Sequence, residues 1–267
     1  MVPQFGHRVT VLAMIDTHCH LDTLENPVEA ALEPGLKAVV SIGCTPENAR
    51  AALRLSEQLE HVFVVVGLHP SDAGRDTPEL RADLEALMTR PKVVGIGESG
   101  LDYYWDAAPR NVQLAAFEWQ LECARRLQKP IVIHTRDKDN SRQVFADCAL
   151  ALENAGWSHG ILHCFAGDLG LLETGLELGF HVSFAGNLTY KNAHTIRESA
   201  KIVPFERLLV ETDAPYLAPM PNRGKRNRPA WVRHTLEFLG ELRGLEFAEI
   251  EAITEANART VYGLAAS

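Results

Sequence analysis

The sequence predicts an α/β protein, a single-domain (β/α)8 TIM barrel, and three observations lead to this fold class. Short runs of apolar and β-branched residues recur along the 267 residues, as expected of strands that are buried on both faces. Amphipathic, helix-like segments separate these runs. Residues of the types that bind metals stand at the ends of five runs. The active sites of barrels lie at the carboxyl ends of their strands.

The apolar runs give eight predicted strands. They are Val11–Ile15, Leu36–Ile42, Val62–Val66, Val93–Ile96, Ile131–Ile133, Gly160–Leu162, His181–Phe184 and Leu208–Val210. Eight strands that alternate with helices match a typical barrel of about 250 residues. A doubly wound open sheet is the alternative, but Asp16–His20 stands where that fold places a glycine-rich phosphate turn.

Six amphipathic segments are predicted as helices. They are Pro46–Glu60, Pro78–Thr89, Asn111–Gln128, Arg142–Ala155, Gly170–Leu178 and Pro229–Arg243. No repeat, linker or low-complexity segment interrupts the pattern, so we expect one domain over residues 1–267. Met14 is a candidate start, which would make residues 1–13 an N-terminal extension.

Composition limits the class of partner and the compartment. The formal charge is −9, so any contact with nucleic acid needs a local basic patch or bound cations. Five cysteines without regular spacing suit a reducing cytoplasm better than a disulfide framework. No apolar run approaches the roughly 20 residues that span a bilayer, and we therefore expect no membrane partner.

His18 and His20 are the first candidate metal ligands. Side chains two residues apart in a strand point to the same face, so both imidazoles can reach one cation. Cys19 must then point to the opposite face. A pair of histidines in a surface turn is the alternative.

Three further candidate ligands follow later strands. Glu98 comes after the run Lys92–Gly97, and a carboxylate at this place can bridge two cations. His134 and His163 each end a short apolar run. A single histidine in this position is more often a hydrogen-bonded core residue, but two on separate strands favour metal binding. Cys164 is expected to face away from the side of His163.

Asp213 follows the last predicted strand, and Glu211, two residues earlier, could share its face. Four histidines and two carboxylates can hold two cations about 3.5–4 Å apart, which would lower the pKa of a shared water. Asp213 would orient that water or take its proton. Imidazole-rich sites favour Zn²⁺, Mn²⁺, Fe²⁺, Co²⁺ or Ni²⁺, whereas carboxylates and water suit Mg²⁺.

These residues lie in motifs that resemble those of TatD-type deoxyribonucleases, a family of amidohydrolase-like metal-dependent hydrolases. The motifs are Ile15–Asp22, Gly67–Pro70, Gly97–Tyr104, His134–Asp137, His163–Gly167, Glu211–Leu217 and Arg223–Asn227. They occur in family order from residue 15 to residue 228 and beyond. Departures are Ser71, where the family often has a histidine, Ser99 and Lys138; none is a proposed ligand.

The resemblance implies a barrel with a two-cation site and metal-dependent hydrolysis of DNA phosphodiesters, often from a 3′ end and sometimes of RNA. It assigns one cation to His18, His20, Glu98 and Asp213, and the other to Glu98, His134 and His163. It also implies Mg²⁺ or Mn²⁺ in turnover.

Other residues are candidates for catalysis and substrate binding. His69 lies two residues after the apolar run Val62–Gly67. It could contact phosphate or protonate a leaving oxygen, and a structural histidine is the alternative. Arg136 could bind phosphate, or pair with an acid at a helix end. The loop Pro215–Pro229 adds Arg223, Lys225, Arg226 and Arg228 as possible contacts to a nucleic-acid backbone.

Tyr103, Tyr104 and Trp105 follow Glu98 and could stack on bases at a strand end, although packing between loops is the alternative. The leading hypothesis is a metal-dependent nuclease that degrades single-stranded DNA ends in the 3′-5′ direction, with RNA as a further substrate. A metal-dependent deacylase of aminoacyl-tRNA is the second hypothesis. A non-catalytic barrel would be expected to have lost ligands, yet all six are present. The oligomeric state stays open, and a monomer is compatible with the sequence.

Overall fold

Eight parallel strands form one sheet that curls into a nearly closed barrel, as the sequence predicts. A computed structural model describes residues 14–105, 107–138 and 141–265. The strands pair in chain order and are β1 Met14–Cys19, β2 Leu36–Gly43, β3 Val62–Val66, β4 Val93–Asp102, β5 Ile131–Arg136, β6 Gly160–Leu162, β7 His181–Phe184 and β8 Leu208–Val210. The first and last strands meet through the Thr17 hydroxyl, which donates to the Val210 carbonyl at 2.8 Å.

Four strands have the predicted bounds, and the other four end later than predicted. β4 continues through Glu98 to Asp102, and β5 continues through His134 to Arg136. The extension occurs because these polar segments pair with each other, with Gly100 opposite His134. Glu98 therefore lies inside a strand rather than after one. The predicted first strand begins at residues that lie outside the described ranges.

Helices follow the strands on the outside of the barrel. They are α1 Pro27–Ala31, α2 Pro46–Gln58, α3 Pro78–Met88, α4 Arg110–Leu127, α5 Gln143–Ala155, α6 Leu169–Glu177, α7 His194–Ile202, α8 Val232–Arg243 and α9 Phe247–Tyr262. Thr45 and Thr77 cap α2 and α3 by accepting backbone N–H groups, and a proline follows each cap. The segment predicted to begin a helix at Pro229 starts with a 3-10 turn, Pro229–Trp231. Three helices, α1, α7 and α9, were not among the predicted segments.

The apolar core has two layers. One lies between the strands and the surrounding helices. The other fills the barrel interior with inward side chains such as Val40, Val65 and Leu209, and the end of α9 closes it with Val261 and Tyr262. Because apolar groups fill the amino-terminal half of the barrel, polar inward side chains gather at the carboxyl end. Within the described ranges, no helix has the length and apolar character needed to cross a bilayer.

Candidate metal centre

Glu98 lies at the centre of a cluster of histidines at the carboxyl end of the barrel. Its side chain is 4% exposed. Its Oε2 atom lies 3.4 Å from Nε2 of His18 and 3.7 Å from Nε2 of His20. Its Oε1 atom lies 2.8 Å from Nδ1 of His134 and 3.1 Å from Nε2 of His163. One carboxylate thus faces two pairs of imidazoles with different oxygens, which is the arrangement that a ligand bridging two cations would need.

The first pair comes from β1, where alternation places His18 and His20 on one face. Cys19 lies on the other face, in an apolar cluster with Leu21 and Val39. Both ring nitrogens of His18 are buried and have no hydrogen-bond partner with adequate geometry. Buried polar atoms are rarely left without a partner, so His18 fits a ligand of a cation.

Asp213 completes this side of the site. Its Oδ1 atom lies 3.4 Å from Nε2 of His20 and 3.8 Å from Nε2 of His18. It stands three residues beyond the end of β8 at Val210, not on the strand itself. Its backbone is left-handed, with φ of 55°, and its N–H donates to the His18 carbonyl at 2.9 Å. Aspartate tolerates this conformation better than most residues, and strained backbone is common at functional sites.

The second pair of histidines is oriented by two further carboxylates. Nε2 of His134 lies 3.2 Å from Oδ2 of Asp102, and Nδ1 of His163 lies 2.8 Å from Oε1 of Glu211. A proton on each of these outer nitrogens leaves the inner nitrogen free to coordinate a cation. Glu211 therefore supports His163 and does not share the role of Asp213. The sequence motifs contained both carboxylates but did not identify their partners.

The electrostatics of the cluster favour bound positive charge. Burial alone would raise the pKa of Glu98, but the neighbouring imidazoles, His163 first, hold it well below its usual range. Burial alone would lower the pKa of His163, but Glu211 and Glu98 raise it well above its usual value. The candidate ligand atoms of His18, His20 and Glu98 lie within 4.8 Å of one another. This compact set of imidazole and carboxylate donors fits divalent cations.

His69 follows β3 and lies beside the second pair. Its Nε2 atom is 3.6 Å from Oε1 of Glu98, and its ring contacts His134 with centroids 4.6 Å apart. Nδ1 accepts the backbone N–H of Ser71 at 3.1 Å, so the departure at Ser71 leaves this hydrogen bond in place. Burial lowers the pKa of His69 to about 4. The ring is therefore neutral near pH 7, with its hydrogen on Nε2.

Two residues beside the centre were not candidates from the sequence. Asp16 is fully buried and accepts hydrogen bonds from the backbone and hydroxyl of Thr212, which ties β1 to the segment that carries Asp213. Cys44 follows β2, and its Sγ lies 3.8 Å from Oε2 of Glu98. An aspartate two residues before His18 was the available signal for Asp16, whereas no signal pointed to Cys44.

The candidate substrate contacts just after β4 and at the end of β5 separate into exposed and packed groups. The guanidinium of Arg136 lies 4.2 Å from the ring centroid of Tyr104 and 5.2 Å from that of Trp105. Among the described residues, no carboxylate pairs with Arg136. The Tyr103 hydroxyl instead donates to Asp147 on α5 at 2.7 Å, so Tyr103 packs toward the helices.

The basic loop after β8 is fixed by Asn227, which is 2% exposed and donates to the carbonyls of Thr212 and Tyr216. Arg226 donates to the Thr23 carbonyl at 2.6 Å, three residues beyond His20. The other cations of this loop contact their neighbours: Arg223 lies over Tyr190 at 4.4 Å, Lys225 donates to Asn222 at 3.2 Å, and Arg228 pairs with Glu33 at 3.3 Å.

Comparisons with known proteins agree with this architecture. The profile of the family described as "TatD related DNase" matches residues 15–263. A Mycobacterium tuberculosis protein named "Uncharacterized metal-dependent hydrolase TatD" is 39% identical over 264 residues, which cover 94% of this chain and 98% of that protein. A Salmonella typhimurium protein named "3'-5' ssDNA/RNA exonuclease TatD" is 34% identical, over 89% of this chain and 92% of its own length.

A solved structure from Escherichia coli, the TatD homologue YjjV, superposes with a TM-score of 0.86 at 28% identity and covers 94% of this chain and 98% of its own. The similarity therefore extends over the whole barrel and includes every strand that carries a residue of the centre.

Proposed function

The chain belongs to the TatD-related DNase family of metal-dependent hydrolases, and from this premise we propose that it hydrolyses phosphodiester bonds in DNA. We propose a 3′-5′ exonuclease that acts on single-stranded ends, with RNA as a further substrate. The observation that carries the proposal is the Glu98 carboxylate between two pairs of imidazoles. The name of the Salmonella relative supports the same activity.

In this proposal, the centre holds two divalent cations. His18, His20, Glu98 and Asp213 would hold one, and Glu98, His134 and His163 would hold the other. Mg²⁺ or Mn²⁺ would serve in turnover, while Zn²⁺, Fe²⁺, Co²⁺ or Ni²⁺ could be bound as isolated. Such a pair supplies Lewis acidity, which lowers the pKa of water and stabilises charge on a phosphate.

Asp213 would accept the proton of the attacking water. Burial raises its pKa, but the hydrogen bond from His20 and the charges of the nearby imidazoles lower it overall, so that the side chain is a carboxylate at neutral pH. Its position at the rim, with the side chain 15% exposed, leaves it open to water. Both features suit a general base.

His69 would donate a hydrogen bond from Nε2 to an oxygen of the phosphate. Its low pKa, caused by burial, disfavours the cationic form that protonation of a leaving oxygen would require. Of the two roles that the sequence left open for His69, the neutral donor is therefore the one we propose. Such a donor stabilises charge that develops on oxygen in the transition state.

Arg136, Arg223, Lys225 and Arg226 would contact phosphates along the substrate. The chain has a net charge of −9, so attraction to a nucleic acid must come from such local cations and from the bound metals. One chain supplies all six ligands, so the site does not require a second copy, and a monomer can act alone. We place the protein in the cytoplasm, where five free thiols would stay reduced.

The activity is tested with a single-stranded oligonucleotide that carries a 5′ label, incubated with Mg²⁺ or Mn²⁺. We expect a ladder of products shortened from the 3′ end, and no products with excess chelator or with a blocked 3′ end. Asp213→Asn should abolish the ladder, whereas the matched substitution Asp83→Asn, at an exposed carboxylate on α3 that pairs with Arg50, should not.

The same experiment separates the nuclease from a deacylase, because a metal pair can also attack a carbonyl carbon. If folded, metal-loaded protein released no nucleotides but turned over aminoacyl-tRNA or another ester, the nuclease proposal would be wrong. Unchanged activity in folded Asp213→Asn would instead exclude the proposed centre.

A further inference from the structure

We propose that Trp105 and Arg136 form a subsite that stacks one unpaired nucleobase and binds its phosphate, and that this subsite selects single-stranded ends. The inference rests on the proposed nuclease function, since it names the part of the substrate that the metal centre does not recognise. It concerns the chain segment that joins β4 to α4 and the last residue of β5.

Trp105 offers an open aromatic surface. Its side chain is 61% exposed, so its neighbours cover less than half of it. Tyr104 meets it edge to face, with ring centroids 4.9 Å apart and an interplanar angle of 86°. The guanidinium of Arg136 lies 5.2 Å from the Trp105 centroid and 4.2 Å from the Tyr104 centroid. Tryptophan is enriched at interfaces because its large apolar ring carries a polar N–H group, and a nearby cation is attracted to the ring face.

Asp102 connects this surface to the metal centre. Its Oδ1 atom accepts the backbone N–H groups of Tyr104 at 2.9 Å and Trp105 at 3.2 Å. Its Oδ2 atom lies 3.2 Å from Nε2 of the proposed ligand His134. One carboxylate therefore contacts both a proposed metal ligand and the backbone of the loop that carries the indole, so the loop begins beside the proposed centre.

Hydrogen bonds fix the start of this loop at Asp102 and Tyr103. Gln113 on α4 exchanges two hydrogen bonds with the backbone of Asp102, at 2.8 and 2.9 Å. The N–H of Tyr103 donates to the Arg136 carbonyl at 2.9 Å, and its hydroxyl donates to Asp147. Because Tyr103 is used in this way, it anchors the loop and leaves Trp105 as the stacking residue. A preformed surface loses little conformational entropy when it binds.

The chemistry of the subsite indicates its ligand. An indole stacks on any base, because every base has a π-face. Arg136 carries no partner carboxylate among the described residues, and its planar N–H groups suit a phosphate. Bases inside a duplex are already stacked on both faces, so only an unpaired or frayed terminal base can use Trp105. The subsite would thus provide selectivity for single strands without selectivity for sequence.

Binding is measured on metal-loaded protein by fluorescence anisotropy of two labelled phosphorothioate oligonucleotides that resist hydrolysis. One is an oligothymidylate, and the other has the same length and charge but abasic residues in place of the bases. We expect wild-type protein to bind the oligothymidylate more tightly, and Trp105→Ala to weaken that binding about 10-fold while leaving abasic binding unchanged. Trp105→Phe should retain most of the affinity, and Leu150→Ala, an exposed apolar position on α5, should behave as wild type.

Equal affinity of wild-type protein for the two oligonucleotides would overturn the inference. An equal loss of affinity for both oligonucleotides in Trp105→Ala would overturn it as well. Either result leaves the proposed function intact if unmodified single-stranded DNA is still degraded. Absence of degradation by the wild-type protein would count against the nuclease itself, whereas preferential binding of the base-containing strand would still support the subsite.

Discussion

Oε1 of Glu211 lies 2.8 Å from Nδ1 of His163 and also accepts the backbone N–H of Cys164 at 2.8 Å. The opposite nitrogen of the same ring, Nε2, faces Glu98 at 3.1 Å. A buried carboxylate that holds the outer nitrogen of a histidine fixes the tautomer and raises the basicity of the inner nitrogen. We therefore expect Glu211 to act as a positioning residue, which orients His163 toward a cation.

The first prediction is that Glu211→Gln weakens metal binding by about 10–100-fold, because an amide cannot provide the negative charge that holds His163. The measurement is a competition titration with a chromophoric chelator, with folding checked by circular dichroism. Glu237→Gln, at a half-exposed carboxylate on α8, is the matched control and should bind metal as the wild type does. Unchanged affinity in a folded Glu211→Gln protein would contradict this role.

The second prediction concerns the bridging position of Glu98. With two cations proposed per chain, Glu98→Gln should lower the metal content to less than one ion, because both pairs of imidazoles lose their shared anion. Elemental analysis of protein dialysed against metal-containing buffer gives the number of bound ions per chain. Nuclease activity should fall by about 10³-fold, in line with the loss of several kcal/mol of charge stabilisation. A variant that keeps two ions would show that Glu98 does not bridge them.

A third prediction follows from the same electrostatics and uses stability instead of activity. Cations that bind the native state alone stabilise it, by about 2.7 kcal/mol at a concentration of 100 times the Kd. Chelated protein should therefore unfold at a lower temperature, and Mn²⁺ should restore the higher Tm in a concentration-dependent way. Glu98→Gln should show a smaller rise in Tm when the same concentration of Mn²⁺ is added, as measured by scanning calorimetry.

The sequence predicted the barrel because strands buried on both faces read as short apolar runs, and eight such runs alternate with helix-like segments. The predicted end of β4 was too early because Glu98, Ser99 and Gly100 interrupt the apolar run. Their membership of the strand depends on pairing with β5, where Asp102 lies opposite Arg136. That pairing is a relationship across more than thirty residues, and no local pattern encodes it.

The six proposed metal ligands were named from strand ends and motif resemblance, and the fold brings all of them to one cluster. The partners of those ligands could not be named. Asp102 and Glu211 stood in the quoted motifs, but which histidine each one contacts depends on the packing of neighbouring strands. Likewise, three consecutive aromatics were equivalent in the sequence, and the contact of Tyr103 with Asp147 and the exposure of Trp105 separate these two residues.

The fourth prediction concerns the loop that carries Arg223, Lys225 and Arg226. Asn227→Ala removes two hydrogen bonds to the carbonyls of Thr212 and Tyr216 and leaves those carbonyls unsatisfied. We expect a loss of about 2–4 kcal/mol in the free energy of unfolding, together with a raised KM and a smaller effect on kcat. Urea unfolding and steady-state kinetics measure the two effects. A lower kcat with unchanged KM would show that the loop does not position the substrate.

The fifth prediction concerns pH and a histidine far from the metal centre. His181 opens β7 at the amino-terminal end of the barrel and is 4% exposed, and its Nδ1 atom has no hydrogen-bond partner. Burial, assisted by the charge of Arg207, lowers the pKa of His181 to about 4. Between this value and the ordinary value of 6.5, the unfolded chain binds a proton that the folded chain does not.

Stability from neutral His181 is therefore complete above about pH 6.5 and is lost as the pH falls toward 4, by at most about 3 kcal/mol in total. His181→Leu removes this titration and also the unpartnered nitrogen. We expect its free energy of unfolding to fall less than that of the wild type between pH 6.5 and pH 4.5, as measured by urea unfolding at fixed metal concentration. Above pH 7.5 the difference between the two proteins should be independent of pH. Parallel curves in the acid range would mean that His181 already binds its proton in the folded barrel.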